Sequence, residues 1–114
     1  MVVLEPGAVV VLRFPFSDLS SSKARPAVVL APASSSDWIV CQVTGNPFAD
    51  STSIEIVDAS FSNGSLRGKA YVRPLKLFTA DHSIITQRAG TLRSEVLRSV
   101  LEILLNSLSS SLLT

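Results

Sequence analysis

The chain has 114 residues, of which 46% are hydrophobic, and a formal net charge of +1 at pH 7. This length predicts one domain spanning residues 1–114, and the apolar content excludes a disordered tail. No apolar run approaches the roughly 18 residues of a membrane span. The near-neutral charge argues against a non-specific nucleic-acid binder.

Short apolar segments separated by turn residues predict a chain made mainly of strands. Residues 63–64 are interpreted as a turn, and residues 89–90 as the end of the last strand. Pro74 is expected to interrupt the fifth strand, with the sheet continuing beyond it. The expected strands cover residues 8–14, 25–31, 38–44, 52–57, 69–73 with 77–79, and 83–88.

A different pattern follows near the C-terminus. Apolar residues recur at helical spacing with polar residues opposite, which predicts an amphipathic helix over about residues 93–108. Thr91 or Ser94 is a candidate cap, and residues 109–114 are expected to fray. Strands and helix together predict a mostly β fold, a small antiparallel barrel with a C-terminal helix packed on it.

The cellular compartment is predicted from the N-terminus and the cysteine count. The first seven residues lack a basic segment followed by an apolar one, so no secretory signal is expected. The single cysteine, Cys41, cannot form an internal disulfide, and we interpret it as a small buried strand residue. Both features favour a protein of the reducing cytoplasm.

The most informative residue is Arg25, which begins an apolar strand, while Thr44 ends the next one. If these strands are neighbours, a guanidinium and a hydroxyl lie together at one rim of the sheet. A guanidinium is a planar, permanently charged fork suited to phosphate, so the pair predicts a protein that handles phosphodiesters. The alternatives are a surface ion pair for Arg25 and a strand-end cap for Thr44.

The charges are unevenly distributed along the chain. Residues 26–66 contain no Lys or Arg, whereas residues 67–76 contain four basic residues and no acid. If the later segment converges with Arg13, Lys23 and Arg25, the protein has a local positive groove on a nearly neutral body. The alternative is a set of scattered, solvated charges.

Several sequence blocks resemble the MazF/PemK toxins. The blocks lie in order at residues 7–11, 14–18, 23–30 and 71–81, and the terminal helix is in the expected place, so the resemblance covers about residues 6–108.

The resemblance implies an SH3-like barrel and a homodimer. It also implies a toxin of a type II toxin–antitoxin system that cleaves single-stranded RNA at short sequences without a metal or another cofactor. The family's arginine before proline and its hydroxyl residue at the end of the following strand match Arg25 and Thr44, the implied catalytic pair. The implied protein partner is an antitoxin whose tail, often acidic, occupies the RNA groove.

Five further residues are predicted to bind RNA. Phe16 would stack a base, Lys23 would contact a phosphate, and Asn46 would bond a phosphate oxygen or a base edge. Lys69 and Arg73 would attract the RNA backbone. For each, the alternative is an ordinary loop or surface residue.

The weakest part of this hypothesis is the proton acceptor. Many relatives carry an acid at the position of Leu75. Here Asp18 or Asp81 would have to accept the proton in its place, or the protein cleaves RNA slowly. His82, the only histidine, is better interpreted as structural or exposed than as catalytic.

Two rival functions stay open. One is a non-enzymatic gyrase poison of the same fold, which Arg25, Thr44 and a C-terminus without an aromatic residue argue against. The other is a weakened member that binds RNA or an antitoxin without cutting, which Leu75 favours.

Overall fold

The computed structural model of the chain describes residues 2–14 and 23–114. The described residues form seven strands, two short 3₁₀ turns and one α-helix. The elements are β1 (Ala8–Phe14), β2 (Lys23–Pro32), β3 (Asp37–Thr44), β4 (Ile54–Ile56), β5 (Phe61–Gly64), β6 (Ala70–Asp81), β7 (Ile85–Leu92) and α1 (Ser94–Leu112), with 3₁₀ turns at Asp58–Ser60 and His82–Ile84.

All seven strands belong to one sheet, in the order β4-β6-β3-β2-β1-β7-β5, and every neighbouring pair is antiparallel. The sheet curls into a half-barrel, and this confirms the mostly β fold with a C-terminal helix. Among the described residues, no helix combines the length and apolar character needed to cross a membrane.

The curled sheet buries apolar side chains on both faces. One face, which we call the helix side, is covered by α1 through Val96, Leu97, Leu101 and Leu104. Val100 of α1 is fully buried there. The far side has its own buried cluster, formed by Ala8, Val10, Leu12, Ala27, Val29, Val40, Ala80 and Ile85. Cys41 is a fully buried, free thiol on the helix side, as predicted, and burial raises its pKa to about 12.

The strand β6 runs without interruption through Pro74, where we expected a break. The reason is a register shift in its pairing with β3, where Cys41 pairs with Leu77 but Val43 pairs with Val72. Several residues of β6 therefore face a single residue of β3, and such a bulge accommodates a residue without an N–H. Pro74 is fully buried in this bulge.

Asn63 and Gly64 end β5 rather than forming the predicted turn. They pair with Thr91 and Gly90 of β7, so that strand also continues beyond its predicted end. Gly64 has φ +74°, and a Cβ placed on it would lie 2.1 Å from the carbonyl oxygen of Ala89. The two backbones can approach this closely because both strands carry glycine there.

The helix differs from expectation at both ends. It is preceded by Arg93, and neither Thr91 nor Ser94 caps it with a side chain. Instead Arg93 anchors this end to the 3₁₀ turn, since its backbone N–H donates to Ser60 (2.9 Å) and its Nε donates to the carbonyl of Ala59 (2.9 Å). At the other end the helix continues to Leu112, so the predicted fraying of residues 109–112 is wrong.

Candidate functional site

The pairing of β2 with β3 brings Arg25 and Thr44 together. Ala27 is opposite Gln42 in this antiparallel pair. Two residues further towards the rim, the same register places Arg25 opposite Thr44. Both residues line one groove of about 300 Å³. The structure therefore places both residues at the same groove.

The groove is basic. Its described walls include three cationic side chains, from Arg25, Arg67 and Lys69, and no carboxylate. The remaining lining residues are Ala24, Pro26, Val43, Gly45, Leu66 and Ala70. Segments that are distant in sequence thus form a local positive site on a nearly neutral chain.

Arg25 is exposed and Thr44 is half-buried, so the groove is open to solvent at both groups. The Oγ1 of Thr44 accepts a hydrogen bond from the backbone N–H of Asn46 (3.1 Å). A hydroxyl has one donor and two acceptor positions, so this contact orients the side chain and leaves its proton for a bound oxygen.

Asn46 lies in the turn that follows Thr44. Its Oδ1 accepts a hydrogen bond from the N–H of Phe48 (2.9 Å), so the amide shapes this turn. Lys69 lies in the groove as expected. Asn46 is not among the groove's lining residues, although its neighbour Gly45 is.

Arg73 lies elsewhere, and its guanidinium is bound within the protein. Its Nε donates to the carboxylate of Asp50 (2.7 Å), and its NH1 nitrogen donates to Oε1 of Gln42 (2.8 Å). The hydrogen bond from Arg73 holds the pKa of Asp50 below its usual range. Because its charge is compensated by Asp50, Arg73 does not add to the basic groove in the way that the sequence suggested.

Two of the predicted RNA-binding residues lie at the edge of the described part or beyond it. Phe16 is outside the described residues, and so is Asp18, a candidate proton acceptor. Lys23 begins β2, where its backbone pairs with that of Phe14.

The other candidates for proton transfer do not line this groove. Leu75, at the position where many relatives carry an acid, also lies outside the groove and is 44% exposed on β6. Asp81 and His82 line a different cavity, of about 730 Å³, together with Val2. The carboxylate of Asp81 accepts a hydrogen bond from the N–H of Ser83 (2.8 Å), which keeps the pKa of Asp81 below its usual value. Nε2 of His82 lies 2.6 Å from the carbonyl oxygen of Val2, consistent with the structural role that we favoured.

Sequence reasoning missed two residues near the site. Arg67 lines the groove and was counted only as part of a basic segment. Phe48 has no predicted role, yet it is 89% exposed four residues after Thr44. The available signal was an aromatic residue inside a loop of turn-forming residues, an unusual place for a large apolar side chain.

Comparisons with known proteins show the family of the chain. A family model described as "PemK-like, MazF-like toxin of type II toxin-antitoxin system" matches residues 5–108. No curated protein matches the sequence significantly.

Solved structures share the fold. MazF in a MazE–MazF complex from Deinococcus radiodurans superimposes with a TM-score of 0.74 at 22% identity, covering 94% of this chain and 96% of that chain. An endoribonuclease in complex with its cognate antitoxin, from a mycobacterial species, gives 0.73 at 12% identity, with coverages of 94% and 96%. The Mycobacterium tuberculosis toxin MazF-mt6 gives 0.68 at 18% identity, with coverages of 90% and 96%. At these identities, the structural likeness shows the fold.

Proposed function

Because the chain belongs to the PemK-like, MazF-like toxins of type II toxin–antitoxin systems, we propose that it is a metal-independent endoribonuclease that cleaves single-stranded RNA at short sequences. The observation that carries this proposal is the shared groove of Arg25 and Thr44, lined also by Arg67 and Lys69. A solvent-open groove with three cations and an oriented hydroxyl is suited to a phosphodiester.

Besides the substrate and these side chains, the chemistry needs a proton acceptor for the 2′-OH and a proton source for the leaving oxygen. The 2′-OH of the RNA loses its proton and attacks the adjacent phosphorus, and the bond to the 5′ oxygen breaks. The 5′ oxygen takes up a proton from water, so that a cyclic phosphate and a 5′-OH are formed. Arg25 stabilises the charge that develops on the phosphate oxygens, because its fork bonds two oxygens at once. The hydroxyl of Thr44 donates to one of those oxygens and fixes the direction of attack.

The pH dependence of cleavage would identify the group that removes the 2′-OH proton. The described walls of the groove hold neither a carboxylate nor a histidine, and Leu75 stands where many relatives carry an acid. Two acceptors stay open, namely Asp18, which lies outside the described residues, and solvent hydroxide. If hydroxide removes the 2′-OH proton, the cleavage rate should rise about tenfold per pH unit from pH 6 to 9. A rate that levels off above about pH 5 would point to a carboxylate acceptor instead.

The decisive experiment is cleavage of a long single-stranded RNA in EDTA. Wild-type protein should give discrete fragments. Removing the charge-stabilising donor in Arg25→Ala should slow cleavage about 10²–10³-fold. Thr44→Val removes the hydroxyl at nearly constant volume and should also slow cleavage. Thr44→Ser keeps the hydroxyl and should therefore cleave at close to the wild-type rate. Arg98→Ala, an exposed charge on α1, is the matched control.

The rival functions are outcomes of the same assay. Intact RNA that is nevertheless bound would indicate the weakened member that Leu75 favours. Intact and unbound RNA, with supercoiling by DNA gyrase impaired, would indicate the gyrase poison. Either result would remove the ribonuclease proposal.

We further propose two protein partners for this toxin, acting in the cytoplasm. The first is a cognate antitoxin with an acidic tail, which the cations of the groove would attract. The second is another copy of the chain. The later turns of α1 support self-association because they expose leucines that the sheet does not cover, namely Leu105, Leu108 and Leu112. Sedimentation should show a dimer, and Leu108→Glu should weaken it.

A further inference from the structure

The loop between β3 and β4, residues 45–53, carries an aromatic side chain in an ordered setting. Phe48 is 89% exposed. Single exposed apolar residues are common on protein surfaces, so exposure alone indicates nothing. The relevant observation is that hydrogen bonds fix the loop on both sides of Phe48.

The first set of contacts ties Phe48 to the catalytic hydroxyl. Thr44 Oγ1 accepts from the N–H of Asn46 (3.1 Å), and Asn46 Oδ1 accepts from the N–H of Phe48 (2.9 Å). The N–H of Ala49 donates to the carbonyl of Asn46 (3.3 Å). The backbone of Phe48 is thus held in a defined position relative to Thr44.

The second set anchors the other side of the loop to the sheet. Asp50 accepts from Nε of Arg73 (2.7 Å), and Arg73 also donates to Gln42 (2.8 Å), whose side chain is among the few buried polar groups. Asp50 further accepts from the hydroxyls of Thr52 (3.1 Å, on its carboxylate) and Ser53 (3.1 Å, on its backbone carbonyl). We call Asp50, Arg73 and Gln42 the loop anchor.

We propose that Phe48 is a stacking platform for an unpaired base next to the phosphate held by Arg25 and Thr44, and that the loop anchor positions it. This inference rests on the proposed function. Phe48 is three residues beyond Gly45, which lines the groove, so the chain between them spans at most about 11 Å. Single-stranded RNA is recognised mainly through bases stacked on aromatic side chains beside a basic track.

The surroundings of Phe48 favour a base over a protein surface as its partner. Its neighbours in the loop include the polar residues Asn46, Asp50 and Ser51, so no second large apolar side chain lies in residues 45–53. The core of a protein interface is a contiguous apolar area, whereas one planar ring is enough to stack one base.

A fluorescence titration tests the contact directly. The variant Trp38→Phe/Phe48→Trp carries its only indole at position 48, and the probe is a 2′-O-methyl RNA oligonucleotide that cannot be cleaved. Binding should quench this indole. An abasic oligonucleotide of the same length should bind through its phosphates without quenching. If Trp38→Phe fails to fold, Phe48→Trp in the wild-type background should show quenching that wild-type protein lacks.

Kinetics test the contribution to recognition. Stacking of one base is worth about 1–3 kcal/mol, so Phe48→Ala should raise KM about 5- to 150-fold with kcat little changed. Phe48→Trp should restore a low KM. The matched control is Val3→Ala, a truncation of another exposed apolar side chain (74% exposed) outside the site.

The positioning role of the loop anchor is tested by a double-mutant cycle. Asp50→Asn alone should raise KM, because the loop loses its charged contact with Arg73. In the Phe48→Ala background the same change should add little, since Asp50 acts through Phe48. Additive effects would overturn this role, because they would mean that Asp50 acts on stability or on RNA independently.

The results separate this inference from the proposed function. Wild-type protein that neither binds nor cleaves RNA defeats the proposed function. If wild-type protein cleaves RNA but Phe48→Ala and Val3→Ala behave alike, or bound RNA leaves the indole unquenched, only the platform is overturned. Quenching by an acidic antitoxin peptide but not by RNA would assign Phe48 to the protein partner and would likewise overturn it.

Discussion

At the scale of single residues, small differences in position decide function. Arg25, Arg67 and Arg73 are chemically identical, yet two line the groove and the third is bound to Asp50 and Gln42. The sequence could indicate that Arg25 and Thr44 lie at strand ends, because the strand bounds are local features. It could not indicate the partners of Arg73, because they lie 23 and 31 residues away in the chain.

A residue-scale prediction concerns two glycines with the same backbone conformation. Gly64 and Gly68 both have φ +74°, but a Cβ on Gly64 would clash with Ala89, whereas a Cβ on Gly68 would meet nothing within 4 Å. Gly68→Ala should therefore cost only the left-handed strain of about 1–2 kcal/mol. Gly64→Ala should cost clearly more, because β5 must also move away from β7.

Urea unfolding of both variants checks this expectation. Since both substitutions carry the same strain, the difference between them isolates the clash. Equal losses of stability would contradict the close approach of β5 to β7.

At the scale of elements, the segment before β1 is joined to β7 by one arginine. Arg88 donates to both carboxylate oxygens of Glu5, and the longer of these two contacts is 3.0 Å. It also donates to the carbonyl of Val3 (2.9 Å) and to the hydroxyl of Thr91. Nothing in the local pattern around Glu5 predicts a partner 83 residues away. The sequence could predict the strand β7, but not the contacts by which Arg88 of this strand binds the segment before β1.

This contact predicts a pH dependence of stability. The hydrogen bond from Arg88 lowers the pKa of Glu5 in the folded state. A carboxyl whose pKa is depressed by folding stabilises the fold above its unfolded pKa, about 4.3, and this stabilisation is lost as the pH falls through the folded value. Glu5→Gln should therefore be less stable than wild type at pH 7, and this difference in the free energy of unfolding should be smaller at pH 3.

Chemical denaturation at several pH values measures that difference. Glu55→Gln, an exposed glutamate on β4, serves as the control. A difference for Glu5→Gln that is the same at pH 7 and pH 3 would show that the ion pair does not contribute.

At the scale of the whole molecule, a nearly neutral protein presents a basic groove. The net charge is +1, yet Arg25, Arg67 and Lys69 converge from two distant segments. Such a local site attracts a polyanion without the non-specific binding of a uniformly basic protein. Both the RNA and the acidic antitoxin tail that we propose would respond to this field, so they should compete.

The groove predicts how binding depends on salt. For single-stranded RNA, each neutralised phosphate contributes about −0.7 to the slope of log affinity against log salt, so three cations give about −2 per groove. Arg67→Ala/Lys69→Ala should reduce the slope to about −0.7 per groove. Fluorescence anisotropy with an uncleavable oligonucleotide measures it, with Arg98→Ala as control. An unchanged slope in the double variant would exclude these two cations from RNA contact.

Local patterns in the sequence were enough to predict a strand-rich chain, a terminal helix, the family and the position of Arg25 and Thr44 at strand ends. Periodicity, turn residues and short motifs carry this information because they depend on neighbours in the chain. The tertiary structure alone decided the bulge that accepts Pro74, the membership of the basic groove and the anchoring of the Phe48 loop. These depend on strand register and on contacts between distant segments, which no local pattern encodes.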